Sequence, residues 1–188
     1  MRKIKTQEEI EKKEKKKELW IVSILILLLI FSVVGYGFLS TDKKNSEIKK
    51  FNGIKFEKIN GIWTTKINEQ QLYFQYFPSE TDDVIINGFF NLKDYENQPL
   101  YIVNSNEASY EITQNIGEYA LRINEACLQD TNCTDPSLAR KNCDSNIIIF
   151  EEKFINETRV YQDKNCIHIS GNYIKGADAF LYRLLEIK

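Results

Sequence analysis

The stretch LWIVSILILLLIFSVVGYGFL, Leu19 to Leu39, carries no charged side chain. At 1.5 Å per residue a helix of this length spans roughly 31 Å, the thickness of a hydrocarbon core. An uncharged run this long predicts a transmembrane helix, because a helix this apolar inside a water-soluble domain needs protein packed all round it. Trp20 and Tyr36 stand near its two ends, where amphipathic rings prefer the headgroup region. The run is too long for the apolar part of a typical signal peptide, and no A-x-A pattern follows it, although Gly35 and Gly37 leave a weak cleavage option. No cysteine closes the run, so a lipid-modified anchor is not indicated.

Outward on the N-terminal side, residues 1–18 hold Arg2, Lys3, Lys5, Lys12, Lys13, Lys15, Lys16 and Lys17. Lys43, Lys44, Lys49 and Lys50 follow the run, so the cationic bias favours a cytoplasmic N-terminus. The mixed-charge tail reads as a topology signal. The four cysteines, Cys127, Cys133, Cys143 and Cys166, all lie after the span. An even number in a small domain favours an oxidising compartment and hence an extracytoplasmic domain. The triplets Asn132-Cys133-Thr134 and Asn156-Glu157-Thr158 fit glycosylation on that side.

On the C-terminal side, residues 40–50 are polar and read as a stalk, and 51–188 read as one domain. Asn60-Gly61 between apolar residues predicts a two-residue hairpin turn pairing Ile59 with Ile62. Phe56, Trp63 and Ile67 then share an inward face. Residues 72–77, 84–90, 100–103, 147–150, 159–161 and 166–170 have strand character. The three- and four-residue spacing of Ala108, Ile112, Ile116, Tyr119, Ala120, Ile123 and Cys127 predicts a helix over 105–126, with Asn104 and Glu107 as a capping box. A last helix over 173–186 buries Ala177, Phe180, Leu181, Leu184 and Leu185, with Asp178 as an acid favouring its dipole. Strands, helix, strands, helix: the order predicts an α+β fold, a transmembrane helix followed by a largely antiparallel sheet with two packed helices.

The chemistry is sparse. A net charge of -2 over 188 residues gives no footprint for nucleic acid. The cysteine spacing has no C-x2-C pair and His168 is the one histidine, so two disulfides are expected and no metal. Of the three possible pairings, Cys127–Cys133 with Cys143–Cys166 is preferred, since these tie a helix end to its loop and one strand to another. Glu80, Asp82 and Asp83 follow Pro78 at a strand end and could bind a cation or move a proton, but they lack a calcium-loop pattern. His168 alternates with Ile167 and Ile169 on a strand. No nucleophile motif and no phosphate loop accompany these groups, so no catalytic residue and no cofactor is assigned.

The segments IWTTKINEQQLYFQYFPSE at 62–80, NCIHISG at 165–171 and AFLYRLLEIK at 179–188 resemble an uncharacterised family of single-pass archaeal membrane proteins. The resemblance implies an anchored extracytoplasmic domain with paired cysteines and supplies no catalytic residues. The expected role is a membrane-anchored module of the cell envelope that binds a protein partner or organises the surface. The alternatives are an anchored hydrolase-like enzyme using Glu80, Asp82, Asp83 and His168, and a pilin-like subunit. The last lacks a glycine just before the apolar run and a glutamate early within it.

Overall fold

The structure is a computed structural model that describes residues 16–17, 19–29, 47–133, 135–152 and 157–187. The chain divides into two units, Met1–Asn45 and Ser46–Lys188. In the first, residues 19–29 form helix α1, whose apolar side chains are exposed. Among the described residues no helix is long and apolar enough to cross a membrane. Residues 30–39 of the apolar run, Tyr36 included, lie outside the described residues.

The second unit begins with a four-stranded antiparallel meander: β1 (Glu47–Phe51), β2 (Ile54–Ile59), β3 (Ile62–Ile67) and β4 (Gln70–Phe74). Each connection is a two-residue turn with positive φ at both positions: Asn52-Gly53, Asn60-Gly61 and Asn68-Glu69. That geometry matches the twist of adjacent strands, and asparagine and glycine adopt it at low cost. The Ile59–Ile62 pairing is as the hairpin reading expects. Phe56 and Trp63 are buried on the face it assigns them. The meander starts inside the expected stalk, because the Asn52-Gly53 turn folds residues 47–51 back onto β2.

A seven-stranded sheet follows, in the order β5-β10-β11-β9-β6-β7-β8. Its strands are β5 (Ile85–Asn87), β6 (Pro99–Val103), β7 (Arg122–Leu128), β8 (Ala139–Lys141), β9 (Asn146–Glu151), β10 (Arg159–Asp163) and β11 (Cys166–Ser170). The α+β class holds, but this sheet is mixed and not largely antiparallel. Only β10 and β11 run antiparallel as neighbours; the other five pairings are parallel. The cause is β6-α2-β7, a helical crossover that returns the chain in the same direction. A local trace of this lay in Ile147–Phe150, which is buried on both faces, as central parallel strands are.

Helix α2 (Glu107–Ile116) is half the expected length, and 122–128 is strand β7. Ile123 and Cys127 are four residues apart, which puts them on one face of a helix or of a strand alike. The periodicity could not separate the two. The break falls at Gly117, where a Cβ would collide with the Thr113 carbonyl oxygen. The N-cap is Asn106, whose side chain accepts from Ala108 N, with Ser109 Oγ accepting from Asn106 N, and not the Asn104–Glu107 box. Asn104 takes positive φ and donates to the Phe150 carbonyl instead. Helix α3 (Tyr173–Leu184) falls where expected, capped by Asn172, which accepts from Lys175 N at 3.0 Å.

Both helices and the meander cover one face of the seven-stranded sheet. Phe56, Trp63, Phe74, Ile112, Ile148, Phe150, Ile167, Ile169 and Phe180 belong to one continuous core there. The opposite face carries a smaller cluster of Tyr101, Val103, Ala126, Ile147, Ile149 and Cys166, with Leu128 and Cys143 packed against it.

Candidate functional site

Strand alternation delivers His168 to the face opposite the helices. Ile167 and Ile169 enter the large core, so Cys166, His168 and Ser170 point the other way. The same alternation on β9 and β10 brings Glu151 and Tyr161 to that face. His168 Nδ1 lies 2.9 Å from Glu151 Oε1, and the Tyr161 hydroxyl donates to the same oxygen. The Tyr161 and His168 rings stack with centroids 4.4 Å apart. Tyr173 Oη, from the start of α3, donates to the Glu151 carbonyl at 2.8 Å. Burial and the adjacent Glu151 carboxylate push the Tyr161 hydroxyl up to about 12.

A carboxylate on Nδ1 holds a neutral imidazole in the tautomer that protonates Nδ1 and leaves a lone pair on Nε2. Nε2 is buried and has no hydrogen-bond partner among the described residues. Glu151 and Tyr161 also line a cavity of about 520 Å³ with Ile85, Asn87, Arg159 and Ser170. Cys143–Cys166, with Cα atoms 5.0 Å apart, braces this region, and Cys127–Cys133, at 5.9 Å, closes the loop after β7 toward the far edge of the sheet. These are the pairs preferred from the sequence. The Sγ atoms of Cys143 and Cys166 and a ring nitrogen of His168 all lie within 4.8 Å of one another. While the sulfurs are bonded to each other they offer no thiolate.

The other candidate residues do not join this cluster. Glu80 Oε2 accepts from Phe77 N at 2.6 Å and so caps the start of the short 3-10 turn Pro78–Thr81. Asp83 pairs with Lys175 Nζ at 2.6 Å, and that cation holds its carboxyl below the usual range. Asp82 lines a groove with Phe51, Val84, Tyr182 and Arg183. This turn packs on α3, so the three acids and His168 stand on opposite sides of the sheet. Asn132 is exposed at the disulfide loop, Trp20 is exposed on α1, and Asn156 lies outside the described residues.

A second buried cluster was not foreseen. Asp178 is fully buried and hydrogen-bonds Glu111 of α2, itself buried. Two carboxyls share a hydrogen bond only when one holds a proton. Burial, followed by the neighbouring carboxyl, raises Asp178 well above the usual carboxylate range. Burial also raises Glu111, while its hydrogen bonds to Asp178 and Gln75 act the other way. Asp178 Oδ2 accepts from Tyr76 N at 2.7 Å, and the Gln75 amide adds a second bond. Next to it, Asn115 accepts from Tyr73 N at 2.8 Å and donates to Tyr73 O at 2.7 Å. The edge of β4 is thereby satisfied by helix side chains as if by another strand. The one sequence signal was the i,i+4 pair Glu111 and Asn115 on the buried stripe of α2.

No family model matches the chain, and neither a curated protein nor a solved structure matches it.

Proposed function

We propose that the chain is a single-pass membrane protein, N-terminus in the cytoplasm, whose Ser46–Lys188 unit acts outside it as a binding module for an envelope protein. The observation that carries the reading is the cysteine pattern: all four sulfurs follow the uncharged run 19–39 and all four are paired. Paired cysteines in a small domain belong to an oxidising compartment. The lysine-rich residues before the run, and the resemblance to archaeal single-pass proteins, favour the same placement.

A contact surface has support from Phe89, which is 94% exposed beside a groove lined by Phe90, Lys93, Arg183 and Glu186. An exposed ring next to charged side chains is the composition of a protein-binding patch. An anchored hydrolase has less support, because its four candidate groups stand on opposite sides of the sheet.

The test is made on intact cells. Protease added outside should remove the 46–188 unit, while the protein stays in the membrane through salt and alkaline carbonate. A thiol reagent should label nothing until a reductant is added. Release by salt alone, or alkylation without reduction, overturns the proposal. Cross-linking through Lys93, on the same groove, should capture one recurrent envelope protein, and capture that survives Phe89→Ala unchanged removes this surface from the reading.

A further inference from the structure

We propose that Cys143, Cys166 and His168 form a zinc-class metal site when the Cys143–Cys166 bridge is reduced. Three potential ligand atoms already lie within 4.8 Å of one another. Two thiolates and an imidazole suit a soft-to-borderline d10 ion, and a solvent molecule completes the tetrahedron. The histidine is set up as metal-binding histidines are. Its Nδ1 is held by Glu151 Oε1 at 2.9 Å, and Nε2 is buried with no hydrogen-bond partner among the described residues. Carboxylate, histidine and metal in series is the arrangement that fixes the tautomer and makes the ligand more basic. A buried nitrogen lone pair left unsatisfied is costly, and an ion satisfies it.

The required movement is small. Thiolates on one tetrahedral ion stand about 3.8 Å apart at Zn–S distances of about 2.3 Å. Cys166 sits on a central strand, whereas Cys143 lies in the connection before β9, so Cys143 is the side chain that shifts. Reduction breaks the S–S bond and puts two electrons and two protons on the sulfurs. With a phosphine reductant, water supplies the protons and its oxygen leaves on the phosphine oxide. Metal binding then releases both thiol protons to solvent. The proposal goes beyond the anchored-module reading and is tested on isolated protein, so the failure of either leaves the other standing.

The experiment uses the full chain in detergent, with Cys127→Ser and Cys133→Ser so that a single sulfur pair remains. After anaerobic treatment with a phosphine, Co²⁺ is titrated as the spectroscopic probe and then displaced by Zn²⁺. One equivalent should give thiolate-to-cobalt charge transfer and tetrahedral d–d bands, both lost on adding zinc. The oxidised chain should give neither. His168→Gln should weaken binding at least tenfold, and Glu151→Gln by roughly 10–100-fold. No cobalt–thiolate absorption in the reduced chain overturns the proposal, as does unchanged affinity in His168→Gln. Should that variant not fold, zinc-edge X-ray absorption of the loaded, histidine-containing chain decides. Two sulfurs with an imidazole nitrogen support the site, and a shell without imidazole overturns it.

Discussion

On the helical side of the seven-stranded sheet, Asp178 Oδ2 accepts from Tyr76 N. Asp178 Oδ1 and Glu111 Oε2 are buried with no other partner among the described residues, so a proton shared between the two carboxyls is what completes them. On the opposite side, His168, Glu151 and Tyr161 are also mostly buried, but one ring nitrogen is left without a partner among the described residues. Both clusters join secondary-structure elements that are distant in the chain. The difference lies in closure. Asn115 stands in for the missing strand beyond β4, and the acid pair beside it ties α2 and α3 together and to Tyr76 just after that strand, so its polarity is used up in architecture. The histidine cluster leaves one ring nitrogen without a partner among the described residues, next to a disulfide that a reductant can open.

The largest effect should come from breaking the closed cluster. Asp178→Ala removes the acceptor of the Tyr76 amide and leaves the buried Glu111 carboxyl without its partner, and should cost about 3 kcal/mol or more in denaturant unfolding. A loss below ~1 kcal/mol would show that the pair does not hold the helices to β4. Next, the double change Cys143→Ser and Cys166→Ser opens a loop with sequence separation 23, against 6 for Cys127–Cys133. The first should lose about 3 kcal/mol and the second about 2, so that the unfolding midpoints rank in that order.

The pH dependence separates the clusters further. Glu111 and Asp178 bind protons more tightly folded than unfolded, so their contribution to stability is full below the unfolded carboxyl range. It declines as pH rises from about 4 through their raised folded values, by at most about 1.4 kcal/mol per pH unit for each proton. Glu107 and Tyr182 add no cation to offset this. Thermal midpoints should therefore fall from mildly acidic to neutral pH, and Glu111→Gln should flatten that slope. A slope that Glu111→Gln leaves unchanged would assign it to other groups. Smallest of all, His168→Gln in the oxidised chain should cost about 1 kcal/mol, because what it removes is one pairing with Glu151 and the ring stack on Tyr161. A larger loss, read from the same unfolding curves, would make His168 as architectural as Asp178.

Legibility followed the range of the interaction. The Asn60-Gly61 turn, the Phe56 and Trp63 face and helix α3 were readable because turn chemistry and periodicity act over a few residues. Helix α2 was overrun at its end because Ile123 and Cys127 fit two periods at once. His168 stood out as the one histidine, yet nothing local announced Glu151 or Tyr161 as its partners. Asp178 looked like an ordinary first-turn acid, since its partner lies 67 positions earlier.

By itself the sequence determined the uncharged run, the α+β class and the hairpin chemistry, and it favoured one of three cysteine pairings. Each is written in composition or spacing that neighbouring residues can read. Only the tertiary structure decided the parallel order around β9, which face each polar side chain takes, and which carboxyl meets which. Those outcomes depend on strands and helices far apart in the chain being brought side by side, and no local pattern specifies the partner across that gap.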